Sequence, residues 1–309
     1  MRTFEGLASV PAGFGPSAVT IGKFDGVHQG HRAVITELRE VAEARDLRSV
    51  VVTFDRNPLA LLAPEKNPDE LVSVRQKLGL LATTGLDAAL VLPFDRALAS
   101  LAPETFVQRV LVDALDARAV LVGSDFRFGA RGAGDVALLE RLGRELGFSV
   151  EIIDDVRPEG ERRASSTWIR ELLAEGDVEH AALLLGHAPT VSGIVVHGAA
   201  RGRELGYPTA NLSPDSEGLI PADGVYAGWL TDAGTRYPAA ISVGNNPTFE
   251  GVPRKQVEAY VLDRELDLYD RMVEVEFVHR IRGMVAFETI EALIERIQVD
   301  VDLARSLLE

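Results

Sequence analysis

Residues 18–31 read Ala-Val-Thr-Ile-Gly-Lys-Phe-Asp-Gly-Val-His-Gln-Gly-His, an apolar run followed by a turn rich in glycine and histidine. The apolar run predicts a buried strand, and residues 30–45 have the pattern of an amphipathic helix. At the start of a helix the first backbone N–H groups have no partner within it, which favours anion binding. His28 and His31 add two donors that can carry positive charge near neutral pH. The segment therefore indicates a nucleotide polyphosphate as ligand and transfer of a nucleotidyl group.

The rest of the first half alternates between apolar strands and helices. Strands are predicted at residues 50–54, 88–93, 119–122 and 148–153, and helices at 73–84, 103–115, 135–146, 167–175 and 177–185. Apolar strands that alternate with helices are typical of a parallel sheet covered on both faces. Residues 1–186 are therefore predicted to form an α/β, Rossmann-like domain.

The second half has short strand patterns separated by turns. These patterns fall at residues 191–197, 224–230, 239–243, 256–262 and 272–278. Their spacing is typical of a small antiparallel β-barrel, and an amphipathic pattern over 290–308 predicts a closing helix. Residues 187–309 are therefore predicted to form a second domain. The chain contains no G-x-x-x-x-G-K-[ST] motif, so any kinase here is not of the P-loop type.

Composition excludes several classes of function. The formal net charge of −15 argues against nucleic acid and anionic membrane surfaces as partners. Cysteine is absent, which excludes disulfides and thiolate metal sites. No secretory signal pattern and no run of about 18 apolar residues is present, so a cytoplasmic location is expected. An acidic chain must bind polyphosphate through local features such as helix N-termini, His, Arg and a divalent cation. The sequence leaves open whether the chain self-associates.

Two further segments of the first half offer ligand contacts. Ser165-Ser166-Thr167-Trp168-Ile169-Arg170 begins a predicted helix, where hydroxyls, free N–H groups and an Arg make a second phosphate cradle. Ser and Thr also cap helices without any ligand. Gly123-Ser124-Asp125-Phe126-Arg127-Phe128-Gly129 follows a predicted strand, and loops at the carboxyl ends of parallel strands line ligand crevices. Its two Phe side chains are equally well explained as packing under the loop.

The second half contains Gly206-Tyr207-Pro208-Thr209-Ala210-Asn211, a segment that reads as a loop. The Thr209 hydroxyl and the Asn211 carbonyl are hard oxygen ligands of the kind that Mg²⁺ accepts, although Gly, Pro and Asn also mark plain turns. Glu258 stands in an alternating strand between Val257 and Ala259. Most strand carboxylates face solvent.

Taken together, these motifs resemble a known family over nearly the whole chain. The turn at residues 22–31 is similar to the nucleotide-binding turn of the nucleotidylyltransferase superfamily, and the full set resembles the bifunctional riboflavin kinase/FMN adenylyltransferases, or prokaryotic FAD synthetases. The resemblance implies a transferase that uses ATP and Mg²⁺ to phosphorylate riboflavin to FMN. It further implies adenylylation of FMN to FAD with release of pyrophosphate. The implied partners are riboflavin, FMN, FAD and ATP.

The resemblance also assigns roles to residues. The FMN phosphate that attacks ATP is already an anion and needs no base, whereas the neutral riboflavin hydroxyl is helped by one. Glu258 is the implied base for phosphorylation, Thr209 the implied magnesium ligand, and His28 and His31 the implied catalytic groups of adenylyl transfer. The implied ATP or phosphate contacts are Gly22, Phe24, Asp25, Gly30, Ser166, Thr167, Arg170, Gly206, Thr209 and Asn211. The implied flavin or adenine contacts are Asp125, Phe126, Phe128, Asn57 and Arg282.

Some positions depart from the family pattern. Asp55-Arg56-Asn57-Pro58 replaces Asp/Glu-Pro-His-Pro, Trp168 stands where Arg is common, and Met284 and Ala286 replace Glu and Lys. One alternative is therefore a riboflavin kinase whose adenylyltransferase half is weak or degraded. Another is a flavin- or nucleotide-binding protein without catalysis, although such a protein would need no base.

Overall fold

The computed structural model describes residues 1–153, 162–198, 205–245 and 255–309. The chain divides into two compact units, Met1–Ala164 and Ser165–Glu309. The functional boundary after residue 186 remains a prediction. Among the described residues, no helix combines the length and the apolar character that crossing a membrane requires.

Six strands of the first unit form one parallel sheet, as predicted. They are β1 (Arg2–Glu5), β2 (Ser17–Ile21), β3 (Arg48–Phe54), β4 (Ala88–Leu92), β5 (Ala117–Gly123) and β6 (Ser149–Ile153). Their order in the sheet is β1-β4-β3-β2-β5-β6. The short edge strand β1 carries too little apolar pattern to be recognised from sequence, and it pairs in parallel with β4.

The strand order reverses beside β2, next to the glycine- and histidine-rich turn at residues 22–31. From β2 the chain proceeds through β3 to β4 on one side, and it then returns to place β5 on the other side of β2. In open α/β sheets, ligands bind outside the carboxyl ends of the strands at such a switch point. Here the turn that follows β2 and the loop that follows β5 flank that point.

Helices cover both faces of this sheet. Their bounds are α1 (Gln29–Ala44), α2 (Pro58–Leu62), α3 (Val74–Ala82), α4 (Arg96–Ala99), α5 (Pro103–Phe106) and α6 (Val136–Leu146). The helix predicted at 103–115 is α-helical for one turn and continues as a π-helix over Val107–Ala114. Successive residues of each central strand join opposite cores: Val19 packs in one cluster, and Ala18 in the other. This alternation is the period-two pattern of a strand buried on both faces.

The second unit is a closed antiparallel barrel, as predicted. Its strands are β7 (Thr190–Val196), β8 (Ala210–Leu212), β9 (Gly224–Asp232), β10 (Thr235–Asn245), β11 (Lys255–Val261) and β12 (Met272–Arg282). They close in the order β10-β11-β8-β7-β12-β9. The same unit includes α7 (Ser166–Glu175), α8 (Val178–Leu185) and the terminal helix α9 (Ile290–Leu308), whose Val301 and Ala304 are buried against the barrel.

One predicted loop of the barrel is partly a strand. Asn211 lies on β8, which pairs with β7 and with β11, so the segment after Thr209 is fixed by sheet hydrogen bonds rather than by a free turn. Strand β8 has only three residues, which is too short for a periodic sequence pattern.

Leu121 on β5 is fully buried, and its replacement tests this packing. We expect Leu121→Ala to lower the free energy of unfolding by about 2–5 kcal/mol, because truncation loses buried area and leaves a cavity. The matched control is Leu303→Ala, whose side chain is exposed on α9 and whose effect should stay within about 0.5 kcal/mol. Amide hydrogen exchange in β2 and β5 reports the change. Equal protection in both variants would contradict the assigned core.

Candidate active sites

The histidine turn, residues 22–31, connects β2 to α1. His28 is the N-cap of α1, and its Nδ1 accepts a hydrogen bond of 3.4 Å from the backbone N–H of His31. The two imidazole rings stack with centroids 3.7 Å apart. Because Nδ1 of His28 is used as an acceptor, the neutral ring carries its proton on Nε2, where it can be donated to a ligand.

Two residues of this turn have strained backbone conformations. Phe24 and Val27 adopt left-handed conformations with φ of 50° and 41°, although neither is glycine. Such conformations cost of order 1–3 kcal/mol each and cluster at functional sites. Gly30 allows a close approach, since a Cβ there would lie 3.1 Å from Cε1 of His28 and the imidazole would have to shift. The strain and the close approach together fix the positions of the imidazoles.

Burial favours the neutral form of both imidazoles, whereas the sequence suggested donors that can carry positive charge. Burial, reinforced by the Arg163 charge, lowers the pKa of His28 to about 4. Burial also lowers the pKa of His31 well below its usual value, with further contributions from neighbouring cations and from His28. Nδ1 of His31 is buried and has no hydrogen-bond partner among the described residues. A buried polar atom of this kind calls for an explanation, and a ligand that completes the site provides one.

A cavity of about 530 Å³ opens beside the histidine turn. It is lined by Gly22 from the turn and by Asp125, Phe126 and Phe128 from the loop after β5. The rings of Phe126 and Phe128 stack at 5.6 Å, and Phe128 also belongs to the buried core. Packing and cavity lining are therefore compatible for these two side chains. A flat aromatic ligand fits such a wall.

Two of the candidate contact residues have structural partners. Asn57 is buried, and its side chain caps α2 by accepting a hydrogen bond of 3.1 Å from Leu59 N. Asp25 Oδ1 accepts a hydrogen bond of 2.9 Å from Leu71 N. Arg56 also differs from the family pattern in the segment Asp55-Arg56-Asn57-Pro58, and it pairs with Asp55 at 3.3 Å. These contacts position the loops, and ligand contact by Asn57 and Asp25 remains a prediction.

The Ser-Ser-Thr-x-x-Arg segment begins α7 in the second compact unit. Ser165 is the N-cap, and its Oγ accepts a hydrogen bond of 3.3 Å from Trp168 N. Capping is thus performed by Ser165, and neither Ser166 nor Thr167 is the cap. The histidines belong to the first unit, so the joint role of Ser166, Thr167 and Arg170 with His28 and His31 remains a prediction.

The barrel site is a chain of hydrogen bonds between β8 and β11. Asn211 Nδ2 donates to Thr209 Oγ1 at 3.2 Å, and Thr209 Oγ1 donates to Glu258 Oε2 at 3.4 Å. Glu258 and Asn211 are cross-strand partners in the register of β11 and β8. The strand pairing therefore brings Glu258 next to Thr209, which lies 49 positions earlier in the sequence.

Two cavities of the barrel unit meet at Thr209. One, of about 500 Å³, includes Gly206, Arg264 and Asp267 in its lining. The other, of about 280 Å³, includes Glu258 and lies under α9. Thr209 lines both. The geometry thus places the hydroxyl and the carboxylate where a ligand from one cavity would meet a ligand from the other.

Arg282 also lines the smaller cavity, but it has a strong internal partner. Its guanidinium binds Asp300 of α9, with Nη2 2.6 Å from Oδ2 and Nε 2.9 Å from the same oxygen. The Asp300 side chain is only 4% exposed. The ion pair joins the end of β12 to α9, and contact of Arg282 with flavin or adenine remains a prediction. Two further segments that the family resemblance singles out, the basic loop Arg201-Gly202-Arg203-Glu204 and the turn Asn246-Pro247-Thr248-Phe249, lie outside the described residues.

Comparison with known proteins matches both halves. The family model described as FAD synthetase matches residues 12–168, and the model described as Riboflavin kinase matches residues 185–308. A bifunctional riboflavin kinase/FMN adenylyltransferase of Escherichia coli (strain K12) is 40% identical over 288 residues, which cover 93% of this chain and 91% of that protein. A protein of the same description from Pseudomonas fluorescens is 37% identical over 99% of this chain and 98% of its own length.

The chain belongs to the bifunctional riboflavin kinase/FMN adenylyltransferase family. It is a transferase with a riboflavin kinase and an FMN adenylyltransferase domain, and it uses ATP to convert riboflavin to FMN and FMN to FAD. No match favours the alternative of a degraded adenylyltransferase half. A crystal structure from Streptococcus pneumoniae, described as a Macrolide-efflux Protein, has the same fold over 99% of both chains, with a TM-score of 0.88 and 30% identity.

The sequence reasoning missed one residue of the first site. Lys77 is 7% exposed, and it lies on the buried side of α3 with Leu81, four positions later. Residues four apart share one face of a helix, so the predicted helix at 73–84 already places Lys77 on the same face as Leu81. A lysine on the apolar face was the available signal.

The low pKa of His28 predicts a loss of stability in acid. Between its ordinary value of 6.5 and about 4, the unfolded chain binds a proton that folded His28 does not, so stability falls as the pH falls. The loss attributable to His28 is about 3 kcal/mol at most. His28→Asn keeps a capping acceptor and should lose less stability over this window. Urea unfolding at pH 6.5, 5.5 and 4.5 measures the difference, and identical losses in both proteins would contradict the assignment.

Proposed function

We propose that the two reactions are divided between the two predicted domains. Adenylyl transfer is assigned to residues 1–186, with His28 and His31 as the groups that contact the ATP phosphates. Phosphorylation of riboflavin is assigned to residues 187–309, with Glu258 as the general base. The observation that carries the second assignment is the position of Thr209, whose side chain lies between the two barrel cavities and donates to Glu258.

In the barrel, we assign ATP to the 500 Å³ cavity and the flavin to the 280 Å³ cavity. The terminal ribityl hydroxyl then attacks the γ-phosphorus, an O–P bond forms, and ADP leaves. Glu258 accepts the hydroxyl proton, and Thr209 holds the carboxylate in place through its hydrogen bond. The apolar side chains of the flavin cavity, including Ile297 and Val301 of α9, exclude water from the acceptor.

Magnesium fits the donors at this position. Thr209 Oγ1 and the Asn211 amide oxygen are hard oxygen ligands, and Mg²⁺ is usually held by one or two protein oxygens together with substrate phosphates. Glu258 adds a negative charge beside them. When bound, the ion would offset charge on the transferred phosphoryl group. Among the described residues, no group of three or more His, Asp or Glu side chains forms a separate metal site.

In the first domain, an oxygen of the FMN phosphate attacks the α-phosphorus of ATP, and the bond to pyrophosphate breaks. No proton has to be removed from the nucleophile. His28 and His31 therefore act as donors to phosphate oxygens, and the positive end of the α1 dipole adds to their effect. The aromatic cavity beside Gly22 is assigned to the flavin ring, with Phe126 and Phe128 as its wall.

Paired substitutions test this division. Glu258→Gln should lower FMN formation from riboflavin by at least about 100-fold, because a positioned base contributes that much, while riboflavin binding and FAD formation from supplied FMN persist. His31→Asn should lower FAD formation from FMN by about 100-fold, because it removes a donor to the leaving phosphates, and should leave FMN formation intact. Product chromatography and flavin fluorescence titration are the measurements.

Unchanged kinase turnover in Glu258→Gln would show that Glu258 is not the base. Equal loss of both reactions in either variant would contradict the assignment of one reaction to each domain.

A further inference from the structure

Three carboxylates cross-link the loops that follow β2, β3 and β4. Each accepts a hydrogen bond from a backbone N–H of another segment. The bonds are Asp25 to Leu71 N at 2.9 Å, Asp55 to Phe94 N at 2.8 Å and Glu70 to Asn57 N at 3.0 Å. Asp25, Asp55 and Glu70, here called the carboxylate trio, thus fix the edge of the sheet that carries the histidine turn. They also place negative charge beside a site that must accept a triphosphate, although Arg56 offsets part of it by pairing with Asp55 at 3.3 Å.

Lys77 is the cation that faces this edge from within the protein. It lies on α3 and is only 7% exposed. Its Nζ donates to the carbonyl of Phe54 at 2.8 Å and to the carbonyl of Lys23 at 3.3 Å. These carbonyls belong to the end of β3 and to the histidine turn. One ammonium group therefore joins the ends of two neighbouring strands.

Electrostatics connect Lys77 to both the carboxylate trio and a histidine. Burial lowers the pKa of Lys77, whereas Glu70, Asp25 and Asp55 oppose that shift and favour the charged form. The Lys77 charge in turn contributes to the lowered pKa of His31. A buried charge without compensating partners would be strongly unfavourable, and the two carbonyls with the trio supply that compensation.

We propose that Lys77 is a positioning residue for adenylyl transfer, which offsets part of the negative charge of the carboxylate trio and, together with the Thr53 hydroxyl, holds the backbone of the histidine turn at the Lys23 carbonyl. Without its charge, the trio would repel the ATP phosphates. Without its hydrogen bonds, the Lys23 carbonyl would lose one of its two side-chain donors, and the turn that carries His28 and His31 would be held less firmly. This inference rests on the assignment of adenylyl transfer to the histidine turn.

The full-length enzyme allows a direct test, because the barrel provides an internal reference reaction. Lys77→Met removes the charge and both hydrogen bonds at similar side-chain length. FAD formation from FMN should fall in kcat by about 10–100-fold, as expected for misaligned reacting groups, and the KM for ATP should rise. FMN formation from riboflavin should not change. Lys77→Arg keeps the charge and should recover most of the activity, and Lys66→Met, an exposed lysine in the same unit, should match wild type.

A second substitution separates charge balance from simple structural support. Glu70→Gln keeps an acceptor for Asn57 N but removes one negative charge of the trio. In the Lys77→Met background it should lower the raised KM for ATP several-fold, whereas Glu70→Gln alone should have little effect. A lysine that only supported the fold would show no such recovery. If Lys77→Met yields no folded protein, the same comparison in Lys77→Gln, which stays polar, replaces it.

The outcomes distinguish this inference from the assignment on which it rests. Wild-type kinetics in Lys77→Met, or a loss that neither Lys77→Arg nor Glu70→Gln relieves, would overturn the role of Lys77. If His31→Asn also leaves FAD formation unchanged, the histidine turn itself is wrongly assigned. Loss in His31→Asn together with wild-type kinetics in Lys77→Met would overturn only the inference.

Discussion

The parallel pairing of β2 with β3 on one side and β5 on the other is the constraint on which the first site depends. The strand order reverses at β2, so the chain leaves β2 toward one side of the sheet and enters β5 from the other. The turn after β2 and the loop after β5 therefore leave an open crevice between them. The crevice at that point receives the N-terminus of α1, two imidazoles and an aromatic wall. None of these elements would form a site alone. In the barrel, strand pairing itself brings the site residues together, because antiparallel pairing of β8 with β11 places Asn211 opposite Glu258.

The chain must bind polyanions with a formal net charge of −15, and the two units meet this demand by local means. In our assignment for the first unit, the N-terminus of α1 and two neutral imidazoles bind the phosphates, and Lys77 offsets carboxylates that hold the loops. Neutral donors avoid the cost of keeping buried cations charged when no phosphate is present. In the barrel, Glu258 needs a negative charge to accept a proton, so phosphate charge there falls to Mg²⁺ and to the Thr209–Asn211 pair in our assignment.

Most of the helices and strands and the position of the histidine turn can be predicted from the sequence, for physical reasons. The central strands of the first unit are mostly apolar, α7 and α8 have clear caps at Gly176 and Asp177, and the histidine turn is a contiguous motif. The remainder depends on partners that are distant in sequence. The hydrogen bond between Thr209 and Glu258 and the lowered pKa of His28 follow from burial and from neighbours that no local pattern specifies. The Asn57 cap is different, because its partner Leu59 is only two residues away and Pro58 begins the helix. Strand β8 is too short to be predicted from a sequence pattern. The π-helix at Val107–Ala114 has a pattern too similar to that of an α-helix to be distinguished from it.

The product pattern of the purified enzyme in two separate reactions tests whether this one chain both phosphorylates riboflavin and adenylylates FMN. One contains riboflavin, ATP and Mg²⁺, and the other contains FMN, ATP and Mg²⁺, with flavins separated by chromatography. The account predicts FMN followed by FAD in the first reaction, and FAD with an equal amount of pyrophosphate in the second. Formation of FMN alone in the first and no product in the second would contradict it, because the histidine turn would then not support adenylyl transfer.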